Sequence, residues 1–309
     1  MRRNTQACGW TSAARAIFVL SATLGSAALA SAQVVNPSTA QKTPNAVSEQ
    51  KPETHHTWEM PPVDVHGKAP LDEEDLIGDY QQPRWTAHRR FGETRVYVIP
   101  KGMVEFEYWL RPTVNKNGPT EFRHMYEVEF GLPGRLQLDL YAVGNKTGKE
   151  GTLAIDQQKV ELRYAFADWG KLWGNPTMYV EWTQNSNSPD AIEGKLLLGG
   201  QLASRWHWGS NFVFEHEIAG AQENSHEWTT GLSYTARDTK LGIGVETQLA
   251  LVNALEANGR RGPLTTAFLA GPSLQWRPLP QMHLDVAPLL GLNHDAPRMK
   301  LFVVLGYEF

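Results

Sequence analysis

Between residues 103 and 309 carboxylates recur two positions apart, as in Glu105 and Glu107, Glu127 and Glu129, and Glu215 and Glu217. Asp139, Glu161, Glu181, Glu246 and Asp285 stand singly in runs of the same kind. A spacing of two puts neighbouring carboxylates on one face of a strand. Cations in the same phase are fewer: Arg111, Arg123, Lys159, Arg163 and Lys300. Such a face is cheap to bury only where it is wet or ion-paired. Two uses follow. The acids line a narrow passage for cationic or polar solutes, or they pair with Arg and Lys and close the interior. Hydrolysis is the third use of such groups. No G-x-S-x-G is present. His216 falls on the face opposite Glu215 and Glu217, and His283 shares a face with Asp285, but neither has a serine partner in the sequence. No enzyme is expected, and a lipid-modifying activity is a minor alternative. His55, His56, Asp64 and His66 match no usual ligand spacing, so no metal and no cofactor are expected.

The elements that position these groups read as strands. Val104, Phe106, Tyr108 and Leu110 alternate with Glu105, Glu107, Trp109 and Arg111. Phe122 to Phe130, Leu136 to Tyr141 and Val160 to Phe166 repeat the pattern, and eight further runs carry it to Arg298–Phe309. The total is twelve strands, each near the ~9–11 residues that cross a bilayer. One set of connections is short and rich in Pro, Gly or Trp: 132–135, 168–175, 205–209, 237–239 and 277–281. The other set, 112–121, 144–154, 185–194, 219–226, 252–264 and 293–297, is generally longer and polar. Backbone groups in hydrocarbon must all pair, so such strands close into a barrel. The expected fold is all-β, an up-and-down antiparallel transmembrane barrel of about twelve strands closed by the C-terminal one. Trp169, Trp173, Trp206, Trp208 and Trp276 sit at the short connections, with Tyr307 and Phe309 at the same level. They are expected as an aromatic girdle at the membrane interface.

The 309-residue chain begins with Arg2, Arg3 and Arg15 flanking an apolar stretch, Ala16 to Ala30, and a small-x-small site at Ala30-Ser31-Ala32. This predicts a cleaved signal peptide over 1–32. Residues 33–82 hold six prolines by Pro70 and the acidic run Asp72–Asp75, and are expected as a flexible periplasmic tether. Residues 83–102, with Arg84, Arg89, Arg90 and Arg95, are expected to cap the periplasmic mouth, and 103–309 to form the barrel. The only cysteine, Cys8, lies in the signal, so no disulfide is expected. The remaining chain has 26 Lys and Arg against 33 Asp and Glu, a net charge of −7, which argues against nucleic acid as a partner. The partners expected are outer-membrane lipids and the barrel-assembly machinery, the latter through the terminal strand.

Export signal, terminal Phe309 and alternating strands together resemble bacterial outer-membrane β-barrels. Within these, Pro83-Arg84-Trp85-Thr86, Arg89-Arg90-Phe91, Thr94-Arg95-Val96-Tyr97-Val98, Val104-Glu105-Phe106-Glu107, Ala167-Asp168-Trp169-Gly170-Lys171, Pro189-Asp190-Ala191, Arg205-Trp206-His207-Trp208-Gly209, Gly271-Pro272-Ser273 and Gln275-Trp276-Arg277-Pro278 are similar to a family of uncharacterised outer-membrane proteins. The chain is more distantly similar to phenol-degradation (MetA-type) outer-membrane transporters. The resemblance covers about residues 83–309 and implies location and fold, with no catalytic or binding residues to carry over. The function expected is a narrow channel or transporter with an acidic lumen. The alternative is a structural or binding barrel closed by ion pairs.

Overall fold

The computed structural model describes residues 71–309. The expected signal peptide, most of the expected tether, and His55, His56, Asp64 and His66 lie outside the described residues. The described chain starts with a 3-10 turn, Asp72–Glu74, and a minimal ladder of β1 (Leu76–Ile77) with β2 (Gln82–Pro83). A second 3-10 turn, Arg84–Ala87, leads into an irregular stretch with bends at 91–93 that runs to Lys101.

Twelve long strands follow: β3 (Val104–Val114), β4 (Glu121–Leu132), β5 (Leu136–Thr147), β6 (Ala154–Ala165), β7 (Thr177–Asn185), β8 (Ala191–Ala203), β9 (Trp206–Glu217), β10 (Asn224–Arg237), β11 (Leu241–Asn253), β12 (Thr265–Leu279), β13 (Met282–Gly291) and β14 (Met299–Glu308). Each pairs antiparallel with its sequence neighbours, and β14 pairs back onto β3, so the sheet closes into a barrel. Tyr307 faces Phe106 and Gly306 faces Glu107 across the closing seam. Closure leaves no unpaired edge to meet lipid. The expected strand number, antiparallel order and closing strand are all present.

Alternation explains which side chains turn outward. Leu140, Val160, Leu162, Val180, Trp182, Phe212, Phe214, Val245 and Leu290 are exposed, while the residues between them are buried or half-buried. An apolar outer belt of this size is stable only against lipid or another apolar surface. Register shifts occur at Val143/Gly144, Gln201/Ala203, Thr235/Arg237 and Trp276/Leu279, towards strand ends. The inward phase therefore survives across the middle of each strand. The two classes of connection differ less than expected. The link between β6 and β7 falls in the short class yet runs from Phe166 to Pro176, as long as the 254–264 loop.

The interior is not empty. Residues 71–99 run into the barrel from the short-turn end. Tyr80 Oη donates to the Leu132 carbonyl (2.8 Å), and Tyr97 Oη donates to the Ala167 carbonyl (2.6 Å). Trp85, Phe91, Val96, Tyr97 and Val98 are buried with Tyr80 and Ala165 in one apolar cluster. A second cluster fills the wall formed by β3–β5 and β12–β14, around Trp109, Met125, Leu289 and Phe302.

Two expectations are corrected here. Residues 83–102 do not sit on the rim as a solvated cap. Their side chains and backbone bond to β3, β4, β5, β9, β10, β11 and β12, all from inside. The expected tether also stops short of residue 82, because Leu71, Glu73, Tyr80 and Gln82 are buried. The physical reasons differ: the inner wall carries more carboxylates than cations and residues 83–102 supply guanidinium groups to it, whereas the end of the expected tether is held by Glu73 on Arg90 (3.1 Å), Tyr80 on the Leu132 carbonyl and Gln82 on the Val98 carbonyl (2.9 Å).

Candidate functional site: a charged plug in the barrel lumen

Arg89 donates two parallel bonds to Glu107, Nε to Oε1 at 2.8 Å and Nη2 to Oε2 at 2.6 Å. Its guanidinium also lies 3.9 Å over the Trp109 ring, whose Nε1 donates to Glu107 (3.0 Å) and Glu127 (2.9 Å). Arg95 Nη2 reaches Glu129 at 2.5 Å and Glu107 and Glu127 at 3.2 Å each. Its backbone is held by Asn211, which accepts from Arg95 N–H (2.8 Å) and donates to Arg95 C=O (2.7 Å). Three carboxylates this close form the kind of nest that takes a metal ion. Here the cation inside it is a guanidinium. Arg163 serves the next group, meeting Asp139 at 2.9 Å and also Glu161.

The segment is tied to the opposite wall as well. Arg90 meets Glu73 (3.1 Å), Ser233 (2.8 Å), His207 (2.8 Å) and Thr235. The backbone N–H groups of Gly92 and Glu93 donate to the two carboxylate oxygens of Glu246, at 2.8 and 3.1 Å. Gln137 accepts from Ile99 N–H (2.8 Å) and donates to Glu129 and Asp139 (2.8 and 2.9 Å). Charge-assisted and bidentate bonds are the strong members of their class. In a buried site their worth lies mostly in the penalty for removing one partner.

Glycines shape the bed. Gly199 on β8, Gly209 on β9 and Gly231 on β10 are direct register partners across three adjacent strands. A Cβ on Gly209 would lie 2.9 Å from Thr94 Cγ2 and 3.2 Å from Phe91 Cε2. A Cβ on Gly231 would enter the Phe91 ring, and one on Gly199 would enter the Val96 side chain. The row is a shallow groove in the inner wall that only hydrogen side chains leave open.

The groups expected to line the lumen divide into two levels. Glu105, Glu107, Glu127, Glu129, Asp139, Glu246 and Asp285 lie buried at the level of the segment. Glu161, Arg163, Glu181, Glu215, Arg111, Arg123, Lys159 and Lys300 line a cavity of about 270 Å³ on the long-loop side, with Glu93 and Arg95 of the segment also on its wall. Glu217 sits at the end of β9 and accepts from the Glu223 N–H at 3.2 Å. A second cavity of about 700 Å³ lies on the short-turn side, walled by Trp85, His88, Arg90, Arg277 and Glu308 among others. The segment stands between the two.

His283 is held by Asp285 on Nδ1 (2.5 Å) and Glu105 on Nε2 (2.6 Å), and His216 Nδ1 by Asn224 (2.7 Å). Neither histidine bonds a serine among the described residues.

Of the expected girdle, Trp173, Trp206, Trp276, Tyr307 and Phe309 are exposed, and Trp208 is half-buried with its ring centroid 5.8 Å from that of Trp173. Trp169 is the exception. It turns inward and packs edge-on against Trp85 (5.5 Å) and Tyr97 (5.3 Å), and its backbone N–H donates to the Tyr80 carbonyl (3.0 Å). The aromatic segment in the lumen offers it a better apolar contact than the rim does.

Sequence reasoning did not single out Glu193, Lys195 or Glu227 as lumen groups. They stand at the start of β8 and β10, where the alternation signal begins, and an inward phase is visible there only once the strand limits are known. The partnership of Arg89, Arg90 and Arg95 with the wall had no sequence signal, since 83–102 and the strands are related only through closure.

No family model matches the sequence, and no curated protein does. Solved structures do. An outer-membrane channel from Pseudomonas putida F1 is 9% identical over 72% of this chain and 100% of its own, with a TM-score of 0.51. NanC porin is 14% identical over 67% of this chain and 98% of its own, at 0.46. The translocator domain of the autotransporter NalP from Neisseria meningitidis is 10% identical over 67% of this chain and 88% of its own, at 0.40. At such identities the likeness is one of fold, and the fold is that of an outer-membrane β-barrel.

Proposed function

We propose that this protein is an outer-membrane channel held closed by residues 84–99, with the short turns on the periplasmic side and the C-terminal strand read by the barrel-assembly machinery. The observation that carries the reading is Arg95 set among Glu107, Glu127 and Glu129, with Arg89 on Glu107 beside it. The interior charge of the barrel is completed by a segment that is not part of its wall. Withdrawing it exposes Glu105, Glu107, Glu127, Glu129 and Asp139, and the open pore then favours cationic and polar solutes. Twelve strands give a lumen between that of packed eight-stranded barrels and open sixteen-stranded porins, so a plug of one extended segment is enough to close it.

Planar-bilayer recording tests this. The parent barrel is expected to be nearly silent, and a variant lacking residues 84–100 to conduct with cation preference. A deletion variant that folds, as judged by heat-modifiable gel mobility, yet conducts no more than the parent would rule the channel out. That outcome would favour a second reading, supported by the same buried pairs, in which the segment is a permanent core of a structural or binding barrel.

A further inference from the structure

The cavity on the long-loop side holds charges that the plug network does not use. Arg111 on β3 and Arg123 on β4 are direct register partners, and Lys300 on β14 lies two residues from the Arg111 level. Like charges opposed on neighbouring strands repel. None of the three has a carboxylate within 4.0 Å among the described residues, and Arg123 Nε is buried without a partner. Lys300 Nζ donates only to Gln248, at 2.8 Å. The far wall mirrors this. Glu215 on β9 and Glu227 on β10 have no cation within 4.0 Å among the described residues, and Glu93 Oε2 of the plug is buried without a hydrogen-bond partner. Nearby acids of the same cavity, Glu181 and Glu193, are paired with Lys159 (2.6 Å) and Lys195 (2.8 Å). The unpaired groups are therefore a subset, not the general state of the wall.

Their placement explains why they do not pair with each other. In the closed order of twelve strands, β3 and β9 are six apart, as are β4 and β10. Arg111 and Arg123 thus face Glu215 and Glu227 across the full width of the lumen. Among mixed, paired charges, the cavity has one unpaired cationic side and one unpaired acidic side, and its volume of about 270 Å³ is just below that of ligand sites, which run from roughly 300 Å³.

We propose that this vestibule binds small zwitterions, with a carboxylate on Arg111 and Arg123 and an ammonium on Glu215 and Glu227. A solute with both charges at separate ends satisfies both walls at once. A simple anion or cation satisfies one wall and leaves the other unpaired. The inference names a solute class for the lumen and rests on the channel reading only for what happens after binding.

Calorimetry on the detergent-purified closed barrel tests it, with 6-aminohexanoate, hexanoate and hexylammonium as probes. The zwitterion is expected to bind about tenfold or more tightly than either single-charge probe, a difference of roughly 1.4 kcal/mol. R111Q with R123Q should bring the zwitterion down to the level of hexylammonium. E215Q with E227Q should bring it down to the level of hexanoate. Equal binding of the zwitterion and one single-charge probe overturns the proposal, as does no binding to a barrel shown to be folded. Binding is read without current, so a silent channel that binds the zwitterion leaves this inference standing. A conducting one that does not bind it overturns this inference alone.

Discussion

Arg89 and Glu107 form a two-bond ion pair inside the barrel with no solvent on either side chain, one partner from the plug and one from β3. Removing one partner of a buried pair costs up to about 3–5 kcal/mol, and Glu107 loses its two-bond partner while keeping Arg95 at 3.2 Å. Arg89→Ala should lower the stability of the folded barrel, or of the plugged state, by that order. The double variant with Glu107→Ala should cost less than the two singles together, since the second change removes the carboxylate that has lost its two-bond partner. Urea unfolding in lipid vesicles measures both, and strict additivity would show that the pair does not couple.

The glycine row predicts a way to expel the plug without touching a charge. Gly231→Val places methyl groups where the Phe91 ring lies. Overpacking of this kind costs roughly 1–3 kcal/mol, which raises the plug-out population about fivefold to a hundredfold. A Thr94→Cys reporter, buried in the parent, should then react with a soluble maleimide correspondingly faster. An unchanged labelling rate would mean that the plug adjusts in place.

Selectivity of the unplugged pore should follow its wall. In a variant lacking residues 84–100, Glu127→Gln and Glu129→Gln remove carboxylates no longer held by Arg89 or Arg95. The cation-to-anion permeability ratio is expected to fall severalfold, read from the reversal potential in a salt gradient, because rings of charged side chains set pore preference. A ratio that does not move would place the selective constriction elsewhere.

The tryptophans should separate by quenching. Trp206 and Trp276 are exposed on the outer face, while Trp169 is packed on Trp85 and Tyr97. Nitroxide-labelled lipids should quench the first two. Replacing Trp206 and Trp276 with Phe should lower the quenchable emission, to which the exposed Trp182 and Trp228 also contribute, whereas Trp169→Phe should leave it unchanged, and an equal loss from Trp169→Phe would place its ring at the lipid.

The barrel was legible because its information is local and periodic. Alternation at Glu105/Phe106/Glu107 or Val160/Glu161/Leu162 states which face meets lipid, and repetition of that pattern with turns between gives strand number and antiparallel order. A closed sheet then follows from the need to pair every backbone group in hydrocarbon. The sequence by itself determined those things, together with the excess of inward acids. What fills the lumen is another matter. Arg95 lies far along the chain from Asn211, and Arg90 from His207 and Ser233, so no spacing links them. Gly199, Gly209 and Gly231 read as scattered glycines until registry aligns them under Phe91 and Val96. Arg111 and Glu215 share one phase of alternation, and only the closing of β14 on β3 sets them on opposite walls. Pairing across a closed barrel is long-range by construction, and charge neutralisation, close packing and charge separation in the lumen were decided there, by tertiary structure.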